Sequence, residues 1–318
     1  MRKILSFLFV LILIAIGATV VTGQFKETFS FNFNTTPIEL EKRVSSNGVD
    51  GLEIDVTSAD IKVVPVDRDD IYVKLSGDVS EKNKDKYKLK VNESSGKVQI
   101  EVVQPKFQVQ MGVNITDLKL EVEVPKKSYT NLSTYSTSGD IEITGLEVDN
   151  IRTELTSGDV LVDGVKLSGD YSFKLTSGDV RIENTEARAI VIDGTSGDIT
   201  FKEVLGDVQV DTTSGDITIW NVYGHIYVET TSGDISIENE KIAGNMEVEV
   251  TSGDVKIEFD ETPTSLKVDY KGQSGKGTVN LEDIQYTEKS DKEIVGKIGD
   301  GEYLLKVRTT SGDFRLRN

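Results

Sequence analysis

The tripeptide Ser-Gly-Asp preceded by Thr ends at Asp140, Asp159, Asp179, Asp198, Asp216, Asp234, Asp254 and Asp313. The first six intervals are 19, 20, 19, 18, 18 and 20 residues. A period this constant marks a chain built by stacking one small unit on the next, because a unit of this size cannot bury its apolar face alone. The last interval, 59, is close to three periods, and Ser274-Gly275-Lys276 reads as a decayed copy inside it. Thr57-Ser58-Ala59-Asp60, Ser76-Gly77-Asp78 and Ser95-Gly96-Lys97 read as more diverged copies towards the amino end.

Aligned on the tripeptide, the flanks alternate apolar and polar residues. Met246-Glu247-Val248-Glu249-Val250 precedes one copy and Val255-Lys256-Ile257 follows it. Alternation with period two, rich in Val, Ile and Thr, is a strand with one buried face, so each repeat supplies two short strands and the fold class is all-β. Two architectures fit. In a β-solenoid, like a parallel β-helix, each Ser-Gly-Asp is a corner and equivalent strands stack about 4.8 Å apart. In an antiparallel meander, Ser-Gly is a hairpin turn, with Val250 facing Val255 and Glu249 facing Lys256. The strict period favours the solenoid, as does a second change of direction at Gly145, Gly164, Asn184, Asn221 and Asn239.

Within the corner, Gly139, Gly158, Gly178, Gly197, Gly215, Gly233, Gly253 and Gly312 supply a positive φ that residues with a Cβ resist. The Asp side chains accept hydrogen bonds from nearby backbone N–H groups. The competing reading is a cation ladder through Asp140, Asp159, Asp179, Asp198, Asp216, Asp234 and Asp254, since stacked carboxylates about 5 Å apart repel by about 1 kcal/mol per pair. One Asp per coil is sparse for calcium, which takes about six to eight oxygens. The structural reading is preferred.

Composition removes several function classes. With 54 acidic against 36 basic residues the formal charge is −18, against any partnership with nucleic acid and against a chain designed around anionic lipid headgroups. There is no cysteine and one histidine, His225, which excludes disulfides, Cys nucleophiles, Cys-based zinc sites and any two-histidine site. No catalytic, metal or cofactor motif is present, and no cofactor is expected. His225 reads as a turn residue.

Residues 4–21 form an uncharged apolar run after Arg2 and Lys3. It reads as a membrane anchor or an export signal, and its length favours a retained single-pass anchor. The basic flank places the chain from residue 24 outside the cell membrane, at a charge of about −20; cleavage after Val21-Thr22-Gly23 would instead give a secreted protein. Three regions are expected: 1–23 as anchor or signal, 24–135 as an irregular β cap that includes the lysine-rich, solvated run at 81–90, and 136–318 as regular repeats.

One repeat is unusual. Trp220, Tyr223 and Tyr227 fall within eight residues, with Trp220 at an outward position where other copies carry Lys202 or Glu238, and Tyr227 at one where they carry Arg152, Gln209 or Glu247. Exposed aromatic groups on a rigid sheet form a platform for sugar rings or a protein partner, or else cover a strand edge. These three are the candidate ligand-binding residues.

The Leu120 to Lys127 strand (LEVEVPKK), the repeated Thr-Ser-Gly-Asp before Ile-x-Ile, and the closing Leu305 to Asp313 (LKVRTTSGD) resemble the bacterial envelope family called "putative adhesin", a domain of unknown function that includes LiaG-like proteins. The resemblance covers roughly 45–318. It implies a β-helical extracytoplasmic domain and supplies no catalytic or binding residues. Three functions compete. The first is a non-enzymatic, membrane-tethered interaction module that contacts cell-wall glycan or another envelope protein. The second is a regulatory partner in envelope-stress signalling. The third is a β-helix polysaccharide-processing enzyme, which needs two carboxylates at a defined separation. The outward Glu154, Asp211, Glu229 and Glu249 recur at one repeat position, which suits a solvated face better than a unique site.

Overall fold

Residues 34–105 and 116–318 are described by the computed structural model; the apolar run at 4–21 lies outside them. Among the described residues nearly everything regular is strand, with a single 3-10 turn at Glu81–Lys86. The strands stack in parallel as a β-solenoid, and the hairpin alternative is discarded by the register. Val250 pairs with Thr230 below and Thr309 above, while Val255 pairs with Ile235 and Phe314.

Each coil has three sides rather than the two expected. In one copy the second side is Ile141–Thr144, Gly145 turns the chain, a short third side at 146–148 leads to Asn150, and the long side at 151–155 runs into the Thr156 to Asp159 corner. The third side pairs from coil to coil as well, Val148 with Tyr129 and Leu167. It escaped detection because two or three residues are too few to show alternation.

Alternation decides what fills the interior. On the long side Leu132, Ile151, Tyr171, Ile190, Val208, Ile226, Met246 and Leu305 stand in one register column, all at most 2% exposed. Burial of each contributes about 1.5–3 kcal/mol. Tyr171 stacks on Phe173 with ring centroids 3.8 Å apart. Its hydroxyl lies 3.0 Å from Thr153 Oγ1, which lies 2.9 Å from Thr134 Oγ1, so the few polar atoms inside satisfy one another. Burial pushes the Tyr171 phenol above its ordinary pKa.

At both ends the stacking order departs from chain order. The Phe314–Arg317 coil is inserted directly above the Val255–Phe259 coil, and the Gly277–Asn280 coil lies outside it. The 59-residue interval is therefore one step in space, and Ser274-Gly275-Lys276 belongs to the coil beyond Asp313 rather than before it. At the amino end the Gly51–Ser58 coil likewise sits between the coil of Lys97–Val103 and that of Ser128–Ser138. A regular coil thus exists before residue 135, with Thr57 to Asp60 as its corner. The other two diverged copies are not corners: Ser76-Gly77-Asp78 lies within the antiparallel strand Asp70–Ser80, and Ser95-Gly96 turns a hairpin.

Antiparallel strands close both ends. Thr35–Ser45 and Asp70–Ser80 cover one side of the amino end and Lys88–Ser94 the other. Glu293–Ile298 and Gln285–Lys289 cover the carboxyl end. These outer strands are rich in charge, and Gln285–Lys289 has a register shift, both of which discourage edge-to-edge pairing.

Candidate functional site

The repeated corner is where the sequence concentrates its polar residues, and the structure shows what they do. The backbone N–H of Asp159 donates to Asp140 Oδ1 at 2.9 Å, Asp179 to Asp159 at 2.9 Å, Asp198 to Asp179 at 2.8 Å, and Asp216 to Asp198 at 2.8 Å. The series continues through Asp234, Asp254 and Asp313 to the N–H of Lys276, and begins with Asp140 donating to Asp60. Each carboxylate thus holds the amide of the next coil, a charge-assisted bond that offsets repulsion along the column. Among the described residues no cluster of three or more His, Asp or Glu is arranged to hold a metal.

The glycines have a second reason beyond φ. At Gly178 (φ +122°) an added Cβ would lie 1.8 Å from the carbonyl oxygen of Gly158, and at Gly197 (φ +125°) 1.9 Å from that of Gly178. Adjacent corners approach too closely for any side chain.

The other corners carry their own ladders. Gly145, Gly164, Asn184 and Asn221 have positive φ, as the spacing predicts, and so does Glu203, which no residue preference signals. Asn239 does not turn the chain. It is buried, accepting from the Val222 N–H at 3.1 Å and donating to the Val222 carbonyl at 3.0 Å. At the corner before the long side, the Asp170 N–H donates to Asn150 and the His225 N–H to Asp207. His225 Nδ1 in turn accepts from the Asn245 N–H at 3.0 Å, which places the histidine in a structural ladder. This corner has its own signal, a glycine before a polar residue at Gly169-Asp170, Gly206-Asp207, Gly224-His225 and Gly244-Asn245, less uniform than Thr-Ser-Gly-Asp because the polar residue varies.

The three aromatic candidates do not share a face. Trp220 is on the second side, registered between Lys202 and Glu238; Tyr223 is on the third side beside Leu205; Tyr227 is on the long side between Gln209 and Glu247. All point outward. Trp220 is 40% exposed, with Nε1 donating to Glu238 at 3.3 Å, and Leu205 is 51% exposed. The Tyr223 hydroxyl reaches Glu240 at 3.5 Å. Tyr227 donates to Glu229 at 2.7 Å, and that carboxylate, with partial burial, pushes its phenol up to about 12. A single flat aromatic platform is therefore absent. Trp220 and the Leu205 and Tyr223 pair instead form two small apolar areas on either side of the Asn221 turn.

The acidic residues Asp193, Asp211, Glu229 and Glu249 form one outward column, bounded by Lys174 and Arg308. Open grooves follow the repeat. One, of about 570 Å³, runs along Asp60, Asp140, Asp159 and Asp179. Another, of about 470 Å³, is lined by Thr213, Thr231, Thr251 and Thr310 with Glu229 and Arg308. The repeated Asp and Thr positions supply one wall of each, and basic groups at one end, Lys62, Lys119 and Arg181 in the first and Lys271 and Arg308 in the second, supply counter-charges.

A family model described as Toastrack DUF4097 matches residues 49–221 and 204–317. No curated protein sequence matches this chain. Among solved structures, a "putative lipid binding protein" from Parabacteroides distasonis is 16% identical over 88% of this chain and 97% of its own, with a TM-score of 0.51. A "putative adhesin" from Bacteroides fragilis is 10% identical over 88% and 97%, with a TM-score of 0.40. A "putative cell adhesion protein" from Clostridium sporogenes is 14% identical over 89% and 99%, with a TM-score of 0.23. At these identities the first supports a shared fold and nothing more, and the TM-scores of the other two carry no argument.

Proposed function

This chain belongs to the Toastrack family, and from that premise we propose that it is a non-enzymatic interaction module, a rigid acidic rod held outside the cell membrane by the apolar run at 4–21. The observation that carries this reading is the use of the recurrent polar residues. The carboxylates a hydrolase would need are committed, coil after coil, to backbone amides. Asp193, Asp211, Glu229 and Glu249 repeat at one outward register position, which favours a uniform surface over a unique reaction centre.

A protein partner would grip where the repeat is broken by exposed apolar groups, at Trp220 on one side of the Asn221 turn and Leu205 with Tyr223 on the other. Aromatic anchors dominate the energetics of such contacts. Crosslinking in intact cells, followed by mass spectrometry of what is captured, tests the reading. Recovery of a defined envelope protein that is lost in Trp220→Ala supports a protein-binding module. Capture of wall glycan in place of protein moves the function to adhesion. Release of altered oligosaccharides from purified wall material by the intact chain would overturn the non-enzymatic assignment.

A further inference from the structure

The net charge of −18 conceals a local reversal near the amino end. Residues 81–90 carry Lys82, Lys84, Lys86, Lys88 and Lys90 against Glu81 and Asp85, five minus two, or +3 over ten residues. All five lysines are exposed. They are also firmly mounted. The 3-10 turn Glu81–Lys86 buries Asn83, and Tyr87 and Leu89 point into the core at 6% exposure each, so Lys88 and Lys90 project from the outer strand Lys88–Ser94. Lys90 has Glu101 at 3.0 Å, and Lys86 donates to Asn83 at 2.9 Å. A solvated charge run has no need of this anchoring.

The position of the patch gives it meaning. Among the described residues Lys88–Ser94 pairs only with Lys97–Val103, the outermost parallel strand at the amino end. The N–H of Glu81 donates to the carbonyl of Asn34 at 3.0 Å, the first of the described residues. Only residues 22–33 separate that run from Asn34, a reach of about 40 Å at most when fully extended. We infer that the lysine-bearing end of the rod docks on the anionic lipid headgroups of the membrane in which the chain is anchored, through Lys82, Lys84 and Lys88, and so sets the rod upright with its acidic length directed away. This rests on the membrane-tethered reading above. Basic residues next to an anchor gain attraction from anionic lipid, whereas the acidic coils are repelled by it, so both ends of the charge distribution favour one orientation.

The full chain has no cysteine, so single labels are unambiguous. It is reconstituted with an environment-sensitive probe on Asn92→Cys beside the patch, or on Thr287→Cys at the opposite end. The vesicles are phosphatidylcholine alone or phosphatidylcholine doped with phosphatidylglycerol. The expected result is protection of the Asn92 probe from aqueous quencher only with phosphatidylglycerol, reduced about fivefold for each lysine replaced by Gln, abolished by high salt, and absent at Thr287. Equal quenching at both positions in both lipids, or protection that persists in the triple Lys82→Gln, Lys84→Gln, Lys88→Gln variant, overturns the docking. Co-flotation with phosphatidylcholine alone reports the anchor independently. A chain that fails to float there but still protects Asn92 on phosphatidylglycerol refutes the tether and keeps the lipid-binding end.

Discussion

Between Asp140 and Asp254 the coils follow one another in chain order, and each uses the same residue types at the same positions. At the two ends a coil from one part of the chain is slotted between coils from another, and antiparallel strands close the stack. The middle is thus stabilised by copies that can be exchanged for one another, whereas each end depends on particular residues in particular places. A repeat needs only compatible neighbours; a cap must also protect the unpaired backbone of the last coil.

Two deletions of similar length separate these regimes most sharply. Removing 303–318 takes out a coil bonded on both of its faces, and is expected to abolish cooperative thermal unfolding by circular dichroism and to drive association through the exposed edges. Removing 199–216, one whole period, joins Asp198 to Ile217 in register and is expected to leave a shorter protein that still melts cooperatively. If the interior deletion is the more damaging, the comparison fails.

Next in size is the glycine column. Gly178→Ala sets a Cβ against the Gly158 carbonyl and is expected to cost at least about 3 kcal/mol in urea denaturation. Gly48→Ala, with φ +75° and nothing within 4 Å, should cost about 1 kcal/mol. Smaller still is the Asp ladder. Asp198→Ala leaves the Asp216 N–H without its partner and should cost about 1–2 kcal/mol, while Asp198→Asn retains an acceptor oxygen and should cost a fraction of that. Calcium and chelator should leave the melting midpoint of the unaltered chain unchanged.

The smallest expected effect is at Tyr227. Its phenol is raised to about 12, mainly by its hydrogen bond to Glu229, so the folded state favours the neutral form. The stability this contributes is complete below the unfolded value near 10 and is lost as pH rises from there through about 12. Ultraviolet titration should show the component that Tyr227→Phe removes move to lower pH in Glu229→Gln; an unchanged curve would remove the assignment.

How far the sequence foretold this structure follows the same division. The corner glycines, the Asp ladder and the inward Val and Ile columns were legible because they recur and because a period of two is visible even in five residues. The insertion of the terminal coils was not. Asp254 and Asp313 are neighbours in space across 59 residues, and nothing local to Ser274-Gly275-Lys276 says on which side of Asp313 it will stack. Trp220 and Tyr227 were legible as outward residues, yet the turn at Asn221 and the third side, too short to show alternation, carry Trp220, Tyr223 and Tyr227 onto three faces. The lysine run was plain in the sequence, but its burial of Asn83, Tyr87 and Leu89 depends on long-range packing.

The inserted final coil also governs how the molecule bears load. In a solenoid whose last coil is outermost, a pull on the carboxyl end peels away one row of hydrogen bonds at a time, at low force. Here Tyr303–Ser311 is gripped by Met246–Ser252 on one side and Leu266–Gly272 on the other, and Phe314–Arg317 by Val255–Phe259 and Gly277–Asn280. Withdrawing the tail must shear both rows at once. The Asn318 end leaves from the flank of the rod rather than its tip, so whatever is fused or attached there pulls against a clamped element instead of a fraying one.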